Sequence, residues 1–240
     1  MSRVALVTGG TAGIGAATAS MLAHHGYHVA VTYSGDAKRA KVFMRSSGIK
    51  AYQWDVADAD ACADGVAQIE QVLGPVDILV NNAGITCDAS FARMTVDQWR
   101  RVIAVDLDSC FMMSHALWPG MKARGWGRIV NISSINGQAG QFGQANYAAA
   151  KAGIFGLTKA LALEGARDGI TVNALAPGYI NTDMVKGVPA DILKKIVGRI
   201  PVGRLGEPEE IARCVLFLVA EEAAFITGST LSANGGMRME

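Results

Sequence analysis

The stretch Thr8-Gly9-Gly10-Thr11-Ala12-Gly13-Ile14-Gly15 decides the fold. It follows an apolar run that predicts a β-strand and opens an alanine-rich run that predicts a helix. A glycine-rich turn at such a junction is typical of a dinucleotide site. Gly9 permits the tight turn, Gly13 lets the backbone approach a pyrophosphate, and Gly15 lets helix and strand pack. The spacing is GxxxGxG rather than the commoner GxGxxG, and an ordinary glycine-rich turn is the alternative.

Outward from this turn, short β-branched runs alternate with alanine-rich stretches along the 240 residues. Strands are predicted at residues 4–7, 29–33, 51–54, 76–80, 128–132, 170–175 and 230–232. Helices are predicted at residues 14–25, 38–46, 59–73, 106–122, 147–165 and 208–220. Apolar strands that alternate with helices form a parallel sheet covered on both faces. Without a repeat or a proline-rich linker, the chain is predicted to be one doubly wound α/β domain of the Rossmann type, residues 1–240, with seven strands.

The composition argues against several classes of protein. The net charge is +1 and 18% of the residues are charged, so neither nucleic acid nor a membrane surface is expected as a partner. No apolar run approaches the roughly 20 residues of a membrane span, and no signal peptide is recognised. The 4 cysteines form no CxxC pair and the 4 histidines have no metal-ligand spacing. We therefore expect reduced thiols, no metal site and a cytoplasmic location.

A tyrosine and a lysine lie four residues apart in Asn146-Tyr147-Ala148-Ala149-Ala150-Lys151. The alanines favour a helix, and the spacing then places both side chains on one face. An ammonium group beside a phenol favours the phenolate and makes the tyrosine a better proton donor. Reduction of a ketone needs such a donor at the oxygen as hydride reaches the carbon. The pair alone also fits a solvated surface helix.

The end of the second predicted strand bears on the choice of cofactor. An acidic residue there would bind the ribose 2′-hydroxyl of NAD, whereas a basic residue would accept the 2′-phosphate of NADP. The strand ends at Tyr33 without a carboxylate, and Lys38 and Arg39 follow. The sequence therefore predicts NADPH, while Asp36 leaves NADH open.

Five motifs, in order along almost the whole chain, resemble the short-chain dehydrogenase/reductase family: the glycine turn, Asn81-Asn82-Ala83-Gly84, Ser134, Tyr147-xxx-Lys151 and Pro177-Gly178. The resemblance implies that Ser134 hydrogen-bonds the substrate carbonyl and Tyr147 donates the proton. It also implies that Lys151 holds the nicotinamide ribose. The implied cofactor contacts, with Tyr147 and Lys151, are Gly9, Thr11, Gly13, Ile14, Gly15, Tyr33, Lys38, Arg39, Asp55, Val56, Asn82, Ala83, Gly84, Pro177, Gly178, Ile180 and Thr182.

Within the family, the run Gln141-Phe142-Gly143-Gln144 is similar to the acetoacetyl-CoA reductases of polyhydroxybutyrate synthesis. This implies NADPH-dependent reduction of a 3-oxoacyl thioester, acetoacetyl-CoA to 3-hydroxybutyryl-CoA, by a homotetramer with a substrate lid around residues 180–205. The related reductases that act on acyl-carrier protein are the alternative. A non-catalytic NADP(H)-sensing module is the alternative from another class. The acyl-CoA site would be lined by Asp88, Gln141, Phe142, Gln144 and Tyr179.

One position departs from the family pattern. Many members carry an asparagine in the helix after the fourth strand, where a water links it to the lysine in a proton relay. This sequence has Asp106 there. A carboxylate can also hold the water, but it would stabilise the charge of Lys151 and offset part of its effect on Tyr147. We therefore predict Asp106 as a relay member, and we expect Asp106→Asn to retain at least the original turnover.

Overall fold

The computed structural model describes residues 2–239, without the side chains of Met184 and Lys186. Seven parallel strands form one sheet in the order β3-β2-β1-β4-β5-β6-β7. The strands are β1 (Val4–Val7), β2 (His28–Tyr33), β3 (Lys50–Gln53), β4 (Val76–Asn81), β5 (Gly127–Ile132), β6 (Ile170–Pro177) and β7 (Thr230–Ala233). The predicted single α/β domain with seven parallel strands is confirmed.

Ten α-helices connect the strands within the described residues: α1 (Gly13–His24), α2 (Ala37–Ser47), α3 (Ala59–Leu73), α4 (Val96–Ile103), α5 (Ser109–Arg124), α6 (Ile135–Ala139), α7 (Ala145–Gly165), α8 (Asp183–Lys186), α9 (Ala190–Val197) and α10 (Pro208–Val219). None of the helices described in residues 2–239 is long and apolar enough to span a membrane.

Helices cover both faces of the sheet because successive strand residues point in opposite directions. In β1, Leu6 belongs to the apolar cluster that contains Met113 of α5 and Ile69 of α3. Its neighbour Val7 belongs to the cluster on the other face, which contains Leu22 of α1. All five of these side chains are buried, so the core consists of two layers separated by the sheet.

The strand order reverses between β1 and β4, which places a crevice at the carboxyl ends of these strands. Ligands of open parallel sheets bind at such a reversal. The glycine turn after β1 and the loop after β4 meet there. The segments after β5 and β6 complete the same edge of the sheet.

The predicted helix at residues 106–122 was wrong only in its first three residues, which lie in a π-helical turn rather than in α5. The chain instead forms α4, then a wide π-helical turn at Ala104–Asp108, and only then α5. A capping box in which the side chains of Thr95 and Gln98 satisfy each other's backbone N–H groups begins α4. Helices α4, α6, α8 and α9 were not predicted, while the ends of the other predicted elements lie within two residues of the observed ends.

Candidate active site

The glycine turn forms a close-fitting cradle at the start of α1. Gly9 adopts a φ of +62°, which favours glycine. A Cβ atom on Gly15 would lie 2.5 Å from the side-chain nitrogen of Asn82 and 2.5 Å from the carbonyl oxygen of Gly9. The hydroxyl of Thr8 accepts hydrogen bonds from the N–H groups of Asn82 and Ala83, at 2.9 and 3.0 Å, and so joins the ends of β1 and β4.

The first N–H groups of α1 face this cradle without a side-chain cap, since Ala12 occupies the N-cap position. Free N–H groups at a helix N-terminus attract an anionic phosphate. The backbone approach that Gly9 and Gly15 permit, together with this uncapped terminus, fits a dinucleotide pyrophosphate.

A cleft of about 460 Å³ runs from the cradle across the carboxyl ends of β4, β5 and β6. It brings together most of the predicted site residues: Gly9, Gly13, Ile14, Arg39, Asn82, Ala83, Gly84, Asp88, Ser134, Gln144, Tyr147, Lys151, Pro177, Gly178, Tyr179, Ile180 and Thr182. The described lining also includes residues that were not predicted: Ala12, Thr86, Ile132, Ser133, Ile135, Asn136, Asp183, Val185 and Val188.

Lys151 is the charged centre of the cleft, and only 3% of it is exposed. Its Nζ atom lies 3.2 Å from Oδ2 of Asp106 and donates a hydrogen bond to the carbonyl oxygen of Ile132 at 3.1 Å. The same nitrogen lies 5.5 Å from the ring centroid of Tyr147. Burial lowers the pKa of the Lys151 ammonium group, but Asp106 and Tyr147 raise it by more, so the net pKa lies above its ordinary value. Lys151 is therefore charged at neutral pH.

Asp106 is fully buried in the π-helical turn. Its Oδ1 accepts a hydrogen bond of 2.8 Å from the N–H group of Ile85, while Oδ2 faces Lys151. A Cβ atom on Gly84 would lie 2.8 Å from Oδ2, so glycine leaves the space that the ion pair occupies. Burial raises the pKa of the Asp106 carboxyl, and the Lys151 charge opposes part of that rise. The turn thus aims a carboxylate at the lysine.

The two neighbouring serines after β5 differ in direction. The hydroxyl of Ser133 donates to the carbonyl oxygen of Lys151 at 2.7 Å and so fixes α7 to the sheet. The hydroxyl of Ser134 caps α6 by accepting a hydrogen bond from the N–H group of Asn136 at 3.1 Å. Ser134 lines the cleft with Tyr147 and can still donate its hydroxyl hydrogen there.

A chain of amide and carboxylate groups closes the outer end of the cleft. The Asn136 amide donates to Oε1 of Gln144 at 2.9 Å, and the Gln144 amide nitrogen donates to both carboxylate oxygens of Asp88 at 2.9 and 3.1 Å. A backbone bond of 2.9 Å from Ala89 to Gly143 joins the same two loops. Asn136 was missed from the sequence, although its position two residues after Ser134 was a usable signal.

Two predicted substrate residues do not lie in the cleft. Gln141 and Phe142 are exposed, and Phe142 has 89% of its surface open to solvent. The reason is that the loop is fixed to its neighbour through Gly143 and Gln144, which leaves the preceding two side chains outside.

Several predicted cofactor contacts also lie away from the cleft. Asp55 accepts from the N–H group of Ala57 at 3.0 Å and pairs with Arg101 at 3.1 Å, so its carboxylate is already held. The Tyr33 hydroxyl donates to Gln53 on the neighbouring strand at 3.4 Å. The other predicted contacts outside the described lining are Thr11, Gly15, Lys38 and Val56.

Arg39 does reach the cleft, and there it meets two carboxylates. Its Nη1 lies 3.3 Å from Asp183 and its Nε lies 3.7 Å from Asp36. Asp36 also accepts the N–H group of Arg39 at 2.9 Å and thereby caps α2. Asp183 was missed from the sequence; its position directly after Thr182, a predicted contact, was the available signal.

No group of three or more metal-binding side chains forms a possible metal site in the part of the chain that the structure describes.

Comparison with known proteins finds a family model and relatives that match nearly the whole chain. A family model described as "Enoyl-(Acyl carrier protein) reductase" matches residues 9–238. An acetoacetyl-CoA reductase of Rhizobium meliloti is 64% identical over 98% of this chain and 98% of its own length. One of Paracoccus denitrificans is 59% identical, again over 98% of each chain. A 3-oxoacyl-[acyl-carrier-protein] reductase of Vibrio harveyi is 44% identical over 99% of this chain and 98% of its own length.

Proposed function

Because the chain belongs to the short-chain dehydrogenase/reductase family, we propose that it is an NADPH-dependent reductase that converts acetoacetyl-CoA to 3-hydroxybutyryl-CoA. The observation that carries this proposal is the buried Lys151 ammonium group, held by Asp106 beside Tyr147 in the same cleft as Ser134 and the glycine cradle. The acetoacetyl-CoA reductases among the relatives, at 44–64% identity over the full chain, support the choice of substrate.

The residues present can carry out a ketone reduction. When bound on the glycine cradle, the dinucleotide supplies hydride to the ketone carbon. Ser134 donates a hydrogen bond to the ketone oxygen and Tyr147 transfers its phenolic proton to it, so that the C=O bond becomes C–H and O–H. Lys151 stabilises the phenolate that remains and holds the ribose hydroxyls, while Asp106 takes part in returning a proton to Tyr147.

The surroundings of Arg39 support NADPH as the cofactor. Asp36, the carboxylate that could bind a ribose 2′-hydroxyl, is already occupied as the cap of α2 and as a partner of Arg39. The backbone hydrogen bond from Arg39, with a smaller contribution from attraction to its guanidinium, holds the pKa of Asp36 below its usual range, so it remains a carboxylate that keeps this position. Arg39 is the cation at the cleft that can meet a 2′-phosphate.

The proposal extends to the substrate end of the cleft. Asp88, Gln144 and Tyr179 are proposed to hold the thioester arm, with residues 180–205 as a lid over it. Polar groups at the mouth suit the amides of a pantetheine arm, which both CoA and acyl-carrier protein carry.

Tyr147→Phe tests the proposed proton donor. The variant is expected to lose reduction of acetoacetyl-CoA by at least about a hundredfold, because general acid catalysis contributes roughly 10²–10⁴-fold. It should still bind NADPH, measured by the fluorescence of the bound nucleotide. An unchanged turnover would remove Tyr147 from the mechanism.

A reductase that acts on acyl-carrier protein is the second candidate, and the 44% identity to the enzyme of Vibrio harveyi favours it. Steady-state rates with acetoacetyl-CoA and with acetoacetyl-acyl-carrier protein separate the two. A preference of orders of magnitude for the carrier-bound substrate would overturn our first choice. A non-catalytic NADP(H)-sensing module predicts nucleotide binding without turnover on either substrate.

We also propose a homotetramer in the cytoplasm. Large apolar side chains are exposed on three helices: Phe111 of α5, Leu163 of α7 and Phe217 of α10. Burial of such side chains against other copies would be favourable. The free cysteines, of which Cys62 and Cys110 are buried, suit a reducing compartment. Light scattering during gel filtration tests the first statement, and cell fractionation tests the second.

A further inference from the structure

Arg39 and Asp183 face each other across the mouth of the dinucleotide cleft. Arg39 lies in the first turn of α2, which follows β2 on one side of the strand reversal. Asp183 is the first residue of α8, which follows β6 on the other side. Their 3.3 Å ion pair therefore connects the two sides of the crevice.

A second contact lies beside this pair. Thr182 packs directly above the glycine turn, so that a Cβ atom on Gly13 would lie 3.2 Å from the Thr182 methyl group. The hydrogen bonds between Asn181 and Gly206 and between Gly206 and Tyr179 hold the base of the segment. The start of the 180–205 segment thus covers the cradle, fixed at its base and joined to α2 through Arg39.

The Arg39–Asp183 pair is the exchangeable part of this cover. Both side chains are about half exposed, at 47% and 64%, and such pairs contribute little. Asp36 lies beside Nε of the Arg39 guanidinium and is held there because it caps α2. Asp183 lies beside Nη1 instead, so another anion can replace Asp183 more easily than Asp36. A phosphate accepts two parallel hydrogen bonds from a guanidinium and binds it more strongly than one solvated carboxylate contact.

We propose that Asp183 is a specificity-determining residue that competes with the 2′-phosphate of the cofactor for Arg39. Binding of the 2′-phosphate then releases Asp183 and loosens the 180–205 segment, whereas NAD leaves the pair intact. This inference rests on the NADPH assignment in the proposed function. It adds that the Arg39–Asp183 ion pair affects both the choice of cofactor and the mobility of the 180–205 segment.

The pair is tested first in the protein without nucleotide. Asp183→Asn and Arg39→Gln should each increase the rate of amide hydrogen exchange in peptides from residues 183–197 by roughly twofold to fivefold, the range that an exposed ion pair supports. Asp64→Asn is the control, with the same loss of charge on an exposed residue in the middle of α3, and should leave exchange in these peptides unchanged. Equal exchange in Asp183→Asn and the unaltered protein would overturn the proposal.

The competition is tested by direct titration with NADP⁺ and NAD⁺. Asp183→Asn should tighten NADP⁺ binding by roughly twofold to fivefold and leave NAD⁺ binding unchanged. Arg39→Gln should weaken NADP⁺ binding by roughly tenfold or more. Equal shifts for both nucleotides in Asp183→Asn would refute the competition, and tighter binding of NAD⁺ than NADP⁺ by the unaltered protein would refute the NADPH assignment with it. Failure to reduce acetoacetyl-CoA would refute the proposed substrate, but the hydrogen-exchange and nucleotide-titration measurements would still test the competition for Arg39.

Discussion

Replacement of Asp106 by asparagine separates the stability of the site from its chemistry. Asparagine has nearly the same shape, so its oxygen can accept the N–H group of Ile85, as Oδ1 of Asp106 does at 2.8 Å. Its NH₂ group then faces the Lys151 ammonium group, where Oδ2 lay 3.2 Å away. In the opposite orientation the Ile85 hydrogen bond is lost instead. Either way one buried interaction disappears, and in the first orientation Lys151 keeps only the carbonyl oxygen of Ile132 as a close acceptor.

The expected loss of stability follows from this geometry. Two unit charges 3.2 Å apart attract by about 5 kcal/mol at an effective dielectric constant of roughly 20. Removal of one partner from a buried pair costs about 3–5 kcal/mol in measured cases. Because asparagine retains one hydrogen bond, we expect the lower end, about 3 kcal/mol. With a urea slope of about 3 kcal/mol per molar, the unfolding midpoint should fall by about 1 M.

Turnover is expected to move in the other direction. Asp106 neutralises part of the field that Lys151 exerts on Tyr147, so its removal should leave kcat for acetoacetyl-CoA at least at the original value. The assay is NADPH oxidation below the unfolding temperature, with folding checked by circular dichroism. Asp108→Asn is the control, since Asp108 lies two residues away in the same turn and is exposed. A loss of several orders of magnitude in a folded Asp106→Asn protein would refute the reasoning about Tyr147. An unchanged urea midpoint would refute the reasoning about the ion pair.

Two further predictions use other parts of the chain. Gly15→Ala should weaken NADPH binding at least tenfold and lower stability by about 1–3 kcal/mol, because its Cβ would lie 2.5 Å from a backbone oxygen. Gly156→Ala is the control, because a Cβ atom on Gly156 would have no neighbour within 4 Å. It should neither weaken NADPH binding in a titration nor lower stability in urea unfolding. Hydrogen bonds from Arg204 lower the pKa of Glu210 from 4.5 to about 2, so this carboxylate stabilises the fold above pH 4.5 and the contribution is lost as the pH falls towards 2. Glu210→Gln should therefore lower the urea midpoint at pH 7 and make the midpoint fall less between pH 4.5 and 2. Glu209→Gln, the control, should show the same pH dependence as the unaltered protein. An equal fall of the midpoint with pH in both variants would contradict the role of Glu210.

The sheet and its main helices could be predicted because they depend on local patterns. Each strand is a short apolar run, and most of the helices covering the sheet begin or end near a glycine or proline of the kind that sequence reasoning uses. The glycine turn and the Tyr147–Lys151 pair are also local patterns, since each of them spans at most eight residues. Short-range information of this kind was sufficient to predict the architecture and the centre of the cleft.

The pairings across the cleft could not be predicted in the same way. Whether Arg39 faces a ribose or Asp183 depends on the position of a segment 144 residues later, and no local pattern contains that information. The position of Asp106 depends on a π-helical turn, which inserts one extra residue per turn and rotates the side chains after it. A regular helix at residues 106–122 would have given a different direction for this carboxylate.

The remaining part of the site is positioned by buried polar groups rather than by apolar packing. Asn146 is fully buried at the start of α7. Its amide donates to the carbonyl oxygens of Cys87 and Gln98, at 3.0 and 3.3 Å, while its own oxygen accepts the N–H group of Tyr147 at 2.8 Å. One side chain thus joins the loop after β4, the first turn of α4 and the helix that carries the proton donor. Because an amide satisfies all three groups only in one arrangement, the hydrogen bonds that order these segments also set the place of Tyr147.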